Sequence, residues 1–110
     1  MTMRIGVIGL AGVGKAHVLK FSALEGATLA CVCDINKEVL AEAAAKHGVP
    51  GYADAGEMLA KEKLDGVSLC TPPASHLPLT RLAAERGVHV LCEKPMATTL
   101  EQCQGMIEVC

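Results

Sequence analysis

The glycines near the start of the chain have a spacing that suits a phosphorylated ligand. The run Gly9-Leu10-Ala11-Gly12-Val13-Gly14 follows an apolar stretch and fits the pattern G-x-G-x-x-G, with Ala11 at the second glycine position. Gly9 would allow a tight turn, Gly14 would let a helix pack closely on a strand, and free N–H groups at the helix start would face an anion. We therefore predict a dinucleotide pyrophosphate site, with contacts weakened slightly by the Ala11 methyl group.

An acidic residue follows at the distance expected for such a site. Asp34 lies 20 residues after Gly14, where a carboxylate can reach the adenosine ribose hydroxyls. Its charge would repel a 2′-phosphate, so NAD is favoured, and Lys37 as a nearby cation leaves NADP as the alternative. Ile35 is assigned to the same cofactor site. The competing interpretation is that Asp34 only caps the next helix.

A second segment whose residues could take part in binding or catalysis follows the fourth predicted strand. It contains two adjacent prolines between Thr71 and His76, namely Pro72 and Pro73. Proline restricts its own backbone and that of the residue before it, so we predict a rigid, extended exit from the strand. This exit lies at the edge where doubly wound sheets bind ligands, and it forms either a wall against the nicotinamide ring or a plain turn.

A third segment is the triplet Glu93-Lys94-Pro95, which follows the last predicted strand. A charged pair at the end of a buried strand is costly unless it is solvated, paired or used in chemistry. The pair is therefore a candidate for a functional role, and the competing interpretation of Lys94 is a surface cation at a strand end.

Short apolar runs alternate with amphipathic segments, which predicts repeated strand–helix–strand units. The predicted strands are 3–9, 28–33, 51–53, 66–71 and 88–92, and the predicted helices are 13–25, 37–47, 55–62, 76–86 and 99–110. Most strands are apolar on both faces, as in parallel sheets covered by helices. The fold class is thus α/β, a doubly wound parallel sheet of about five strands (Rossmann fold) in three α/β/α layers.

Residues that are typical of helix starts and helix ends support these boundaries. Gly26, Gly48 and Gly87 stand where a left-handed residue would end a helix. Two cap-x-x-Glu pairs have the spacing of a capping box, in which side chains and backbone donors satisfy each other at a helix N-terminus, and they are Asp54 with Glu57 and Thr98 with Glu101.

Size and composition limit the classes of function. The 110 residues suit one domain, 1–110, and the chain stops inside a helical pattern, so we expect that the sequence ends before a natural terminus. A net charge of −2, one Tyr, one Phe and no Trp exclude a nucleic-acid binder, and no apolar run is long enough for a membrane span or signal peptide. A cytoplasmic protein is expected.

The six cysteines are interpreted as structural residues. None forms a C-x-x-C pair, and four of them lie inside apolar, strand-like runs, where a reduced thiol acts as a small hydrophobe. The four histidines lack the spacing of metal ligands, so no metal site is predicted. His17, on the first predicted helix, is expected to pack between that helix and the sheet.

Taken together, these residues resemble the Gfo/Idh/MocA family, named for glucose-fructose oxidoreductase and inositol dehydrogenase. The resemblance covers the whole chain and is most specific in the run 87–97, Gly-Val-His-Val-Leu-Cys-Glu-Lys-Pro-Met-Ala. The departures are Ala11, and Pro73 where many members have Asn.

The resemblance implies an NAD(P)-dependent dehydrogenase that acts on a sugar or polyol, with a larger C-terminal substrate domain that supports homo-oligomers and is absent from this chain. Lys94 would then contact the nicotinamide ribose and polarise the substrate hydroxyl, and Glu93 would help to position Lys94. The resemblance also implies cofactor contacts from the 71–76 segment. Two other functions stay open on the residues alone: a non-catalytic dinucleotide sensor, and a module for another ligand such as coenzyme A or S-adenosylmethionine.

Overall fold

The structure is a computed structural model that describes residues 3–23, 25–92 and 107. The predictions made for Glu93, Lys94, Thr98 and Glu101, and for the helix at 99–110 apart from Ile107, lie outside the described residues.

The described residues alternate between strands and helices in the predicted order. The strands are β1 (Met3–Ile8), β2 (Ala27–Cys33), β3 (Gly51–Tyr52), β4 (Gly66–Leu69) and β5 (His89–Cys92). The α-helices are α1 (Val13–Ala23), α2 (Lys37–His47), α3 (Ala55–Lys61) and α4 (His76–Glu85), and a short 3₁₀ helix spans Pro73–Ser75. The strands form one parallel sheet in the order β3-β2-β1-β4-β5.

Helices cover both faces of the sheet. On one face, Val7 of β1 packs with Val18 of α1 and Leu40 of α2. On the other, the next residue of β1, Ile8, packs with Met58 of α3, and Ala83 of α4 belongs to the same cluster. Successive residues of a strand point to opposite faces, which explains why an unbroken apolar strand needs two helical layers. The predicted three-layer, doubly wound architecture is confirmed.

The first and fourth strands end earlier than predicted. β1 stops at Ile8 because the chain turns at Gly9, whose φ is 92°. β4 stops at Leu69, two residues before the predicted end. The hydrogen bonding between neighbouring strands nevertheless continues by one bond beyond the end of β1 and of β4. Gly9 N–H donates to Cys33 O and Cys70 N–H donates to Ile8 O, both at 2.8 Å. The strand ends and the loops that follow them are therefore held together.

The predicted rigid, extended exit from β4 was wrong at Pro73, and Thr71 already lies in a bend. Pro73 begins the 3₁₀ helix instead of continuing the extended segment, and Ser75 N–H donates to the Pro72 carbonyl at 3.0 Å. Proline fits the first position of a helical turn because its missing N–H would have no partner there.

The predicted helix boundaries are largely confirmed. Gly26, Gly48 and Gly87 all have positive φ, at 88°, 63° and 68°. Asp54 caps α3 by accepting from Glu57 N–H at 3.0 Å. The reciprocal half of that capping box was wrong, because the Glu57 carboxylate turns to Lys61 Nζ one turn later, at 2.8 Å.

The cysteines of β2 behave as core residues. Cys31 and Cys33 are buried, free thiols. Burial is the main reason that the pKa of each thiol rises from 9.0 to about 12. No group of potential metal ligands occurs among the residues that the structure describes. Within that same part of the chain, no α-helix has the length and apolarity that a bilayer crossing requires.

A polar network links β1, β3 and the end of α3, away from the glycine loop. The Tyr52 hydroxyl donates to Glu62 Oε2 at 2.6 Å, and Arg4 Nη2 lies 2.9 Å from Glu62 Oε1. The hydrogen bond to Glu62, followed by burial, raises the pKa of Tyr52 from 10.0 to about 12. Tyr52 therefore favours the folded state only while its hydroxyl is protonated.

This network gives a testable pH dependence. Because the folded pKa of Tyr52 exceeds the unfolded one, its contribution to stability is complete below pH 10 and is lost as the pH rises towards about 12. Tyr52 is the single tyrosine and there is no tryptophan, so tyrosinate absorbance at 295 nm reports it alone. We expect Tyr52 to titrate with a midpoint near pH 12 in the folded protein and near pH 10 in the urea-unfolded protein. In folded Glu62→Gln, the titration midpoint of Tyr52 should be lower than in the folded wild type. Equal native midpoints in the wild type and the variant would contradict the contact.

Candidate functional site

A cleft of about 660 Å³ opens at the carboxyl ends of β1 to β4. This volume is within the usual range for small-molecule sites. Six of the residues predicted from the sequence to bind the cofactor line it: Gly9, Ala11, Asp34, Ile35, Thr71 and Pro72. The topology thus brings three separate sequence segments to one site.

The glycine loop is shaped by close contacts on one side. A Cβ on Gly9 would lie 2.8 Å from the backbone of Cys70, and its φ of 92° also disfavours a side chain. A Cβ on Gly14 would overlap the carbonyl oxygen of Gly9, so the first turn of α1 lies directly against the loop. Both glycines therefore have the structural roles that the sequence predicted for them.

The other side of the loop is open. Gly12 has a φ of 58°, and a Cβ placed there would meet no atom within 4 Å. Ala11 is exposed and has negative φ, since positive φ in the described residues is confined to glycine. The first turn of α1 carries no acidic residue. An anion can therefore approach the start of α1, where the helix dipole favours negative charge.

Asp34 connects the glycine loop to the turn after β2. Its Oδ2 accepts from Leu10 N–H at 2.9 Å, and its Oδ1 accepts from Asn36 N–H at 2.8 Å. The cap of α2 is Asn36, whose side chain accepts from the N–H groups of Glu38 and Val39. The interpretation of Asp34 as a plain helix cap was therefore wrong. The sequence also missed its bond to Leu10, which fixes the carboxylate beside the glycine loop.

The opposite wall of the cleft is an internally bonded turn. The Ser75 hydroxyl lies 2.6 Å from Thr71 Oγ1 and 2.8 Å from the Pro72 carbonyl oxygen. His76 is only 1% exposed, and its Nε2 lies 2.8 Å from the Thr71 carbonyl oxygen. The structure thus places His76 behind the wall instead of on it. Its observed contact supports the turn that presents Thr71 and Pro72.

His17 packs as expected at the interface between α1 and the sheet. Its Nδ1 forms a hydrogen bond with the hydroxyl of Ser68, a buried residue of β4, and its ring meets the edge of Phe21 at a centroid distance of 6.3 Å. The helix that begins at the glycine loop is thereby attached to the strand that leads to Thr71.

Some residues of the cleft were not singled out from the sequence. The end of β3 contributes Asp54, and α4 contributes Pro78, Leu79 and Leu82. Leu82 lies three positions after Leu79 and four after Pro78, which is the spacing of one helix face and was the available signal. Asp54 was recognised only as a cap, because that local role accounts for an aspartate at a helix start.

Comparison with known proteins identifies the family to which these features belong. The sequence profile "Oxidoreductase family, NAD-binding Rossmann fold" (GFO_IDH_MocA) matches residues 3–110. A D-apiose dehydrogenase from Paraburkholderia graminis is 35% identical over 105 residues, which cover 94% of this chain and 28% of that enzyme. The chain spans roughly a third of the length of the curated relatives it matches.

Solved structures agree in fold. The WlbA dehydrogenase from Bordetella pertussis, in complex with NADH and UDP-GlcNAcA, superposes with a TM-score of 0.96 at 32% identity, covering 100% of this chain and 34% of that one. The scyllo-inositol dehydrogenase from Lactobacillus casei, with bound NAD(H) and scyllo-inositol, gives a TM-score of 0.93 at 27% identity, covering 99% and 33%.

Proposed function

The chain belongs to the Gfo/Idh/MocA oxidoreductase family, and from this premise we propose that it serves as the NAD-binding domain of a dehydrogenase that transfers a hydride between nicotinamide and a sugar or polyol hydroxyl. The observation that carries the proposal is the hydrogen bond between Asp34 and Leu10 N–H at the cleft. It holds the Asp34 carboxylate beside the glycine loop, and this supports the proposal because dinucleotide recognition pairs a ribose-binding acid with a phosphate-binding loop.

The residues of the cleft fit this cofactor. The N–H groups of Gly14 and Lys15 donate to the carbonyls of Ala11 and Gly12, both at 3.2 Å. The amides of Gly12 and Val13 are therefore the donors that we assign to the pyrophosphate, on the open side of the loop. Asp34 would accept bonds from the adenosine ribose hydroxyls.

The nicotinamide half would lie on the other side of the glycine loop. Thr71 and Pro72 form that wall, and the buried His76 holds its backbone in place. Bound NAD would supply the hydride acceptor. We assign to Lys94 the polarisation of the substrate hydroxyl and to Glu93 the positioning of Lys94, both on the strength of the sequence resemblance.

The names of the relatives support a class of substrate. Their names refer to apiose, inositol and a nucleotide-linked sugar, which share secondary hydroxyls on a ring or short carbon chain. We propose a substrate of this class, a homo-oligomeric whole protein and a cytoplasmic location.

A titration with NADH and NADPH, by calorimetry, tests the cofactor assignment. The wild type should prefer NADH. Asp34→Asn keeps an acceptor for Leu10 N–H but loses the charge, so NADH affinity should fall about tenfold while discrimination against NADPH relaxes. Asp34→Ala also leaves the Leu10 N–H unpaired, and NADH affinity should fall by roughly a hundredfold.

The matched control is Glu85→Gln, which removes an exposed carboxylate at the end of α4 and should change neither affinity. A folded wild type that binds neither nucleotide would contradict the proposal and favour another ligand. NADH binding that is unaffected in both Asp34 variants would remove Asp34 from the site.

A further inference from the structure

The cleft contains a second carboxylate that the proposed function does not use. Asp54 lines it together with Asp34, and these two are the charged residues among its described lining residues. Asp54 follows β3, whose Tyr52 pairs with Cys33, and Asp34 N–H donates to the Tyr52 carbonyl at 3.1 Å. The two aspartates are thus neighbours on adjacent strand ends.

The strand order indicates which part of a dinucleotide would reach Asp54. The pyrophosphate site follows β1, the ribose-binding Asp34 follows β2, and the nicotinamide wall follows β4 on the opposite side. A linear molecule with its pyrophosphate at β1 and its ribose at β2 must place the attached base beyond β2. The sheet order puts the end of β3 at that place.

The cleft also offers apolar surface that suits a purine. Ile35 is 90% exposed and lines the cleft beside Asp34. Ala53 and the α4 residues Leu79 and Leu82 contribute further apolar surface. Apolar side chains suit the faces of an aromatic base, and a polar group among them suits recognition of its edge.

From this arrangement we propose that Asp54 selects adenine, by accepting a hydrogen bond from the exocyclic amino group of the base. The proposal rests on the proposed function, because it assumes that a dinucleotide occupies the cleft. It adds a determinant of base specificity to the ribose and phosphate contacts. A base with a carbonyl at the same position would place an oxygen lone pair against the carboxylate and bind more weakly.

The Asp54 carboxylate is held in a fixed position with one oxygen available. Its Oδ2 accepts from Glu57 N–H at 3.0 Å, which leaves Oδ1 as the acceptor for the base. The buried Cys33 lies close to both aspartates. Burial is the largest cause of its raised pKa, and the charges of Asp34 and then Asp54 add to it. Both carboxylates therefore act on the same end of the cleft.

The test compares NADH with its hypoxanthine analogue, in which a carbonyl replaces the adenine amino group. Affinities of the chain for both are measured by calorimetry. We expect the wild type to bind NADH at least about tenfold more tightly, and Asp54→Ser to bind the two within about a factor of two. Serine is also a good helix cap, so α3 keeps its start while the carboxylate is lost.

A second variant gives an effect of opposite sign. In Asp54→Asn, the amide oxygen can keep the cap while the amide nitrogen faces the base and donates to a carbonyl. The preference should shift towards the hypoxanthine analogue by more than in Asp54→Ser. Circular dichroism and urea unfolding verify that each variant is folded.

The outcomes separate this inference from the proposed function. A wild type that binds both dinucleotides equally overturns the role of Asp54 and leaves the cofactor assignment intact. A preference for adenine that persists in Asp54→Ser also overturns the role of Asp54 and leaves the cofactor assignment intact. A folded wild type that binds neither dinucleotide overturns both proposals.

Discussion

Gly14→Ala is expected to destabilise the protein by at least about 3 kcal/mol and to abolish NADH binding. The added Cβ would overlap the carbonyl oxygen of Gly9, which is backbone and cannot move aside by a change of rotamer. Relief requires α1 to shift away from the loop, which would also displace the amides assigned to the pyrophosphate. Urea unfolding and a calorimetric titration with NADH measure the two effects.

Gly48→Ala is the matched control, because it adds the same methyl group without a clash. Gly48 has a φ of 63°, and its Cβ would meet no atom within 4 Å. The free energy of unfolding should then fall only by the cost of placing alanine in the left-handed conformation, about 1–2 kcal/mol. The affinity for NADH should be unchanged. Equal losses of stability and affinity in the two variants would contradict the close contact between helix and loop.

His76→Ala is expected to cost about 3 kcal/mol and to weaken NADH binding about tenfold. The imidazole is buried and bonded to the Thr71 carbonyl, so its removal leaves a cavity and an unpaired acceptor behind the cleft wall. Because we assign Thr71 and Pro72, which His76 supports, to the nicotinamide end, affinity for ADP-ribose, which lacks nicotinamide, should change much less than affinity for NADH.

The comparison for His76 is His89→Ala. His89 is exposed on β5, so its replacement should change the free energy of unfolding by no more than about 0.5 kcal/mol. If His76→Ala weakened NADH and ADP-ribose equally, the histidine would act on global stability and not on the nicotinamide wall.

The features that the sequence predicted correctly are governed by local rules. The glycine loop, the helix-ending Gly26, Gly48 and Gly87, and the position of Asp34 after β2 each depend on a few neighbouring residues. Short apolar runs that alternate with amphipathic segments similarly predict a sheet that is covered by helices on both faces. The predicted fold and six cleft-lining residues followed from these patterns.

The features that it missed depend on residues far apart in the chain. The bond from Leu10 N–H to Asp34 joins two loops, and the place of Asp54 beside Asp34 depends on the pairing of β2 with β3. The cap formed by Asp54 already explained an aspartate at that position, which concealed a second role. Burial of His76 likewise depends on how α4 packs on the sheet.

Backbone amide NMR of the ¹⁵N-labelled chain, with NADH added, tests the central claim most directly. We predict the largest shift changes at Gly12 and Val13 in the glycine loop, and at Asp34, Ile35 and Thr71 in the cleft beside it. Changes concentrated in the crevice between α1 and α2, near Lys15 and Lys46, would contradict the assigned site. A spectrum unchanged at saturating NADH would contradict the NAD-binding role itself.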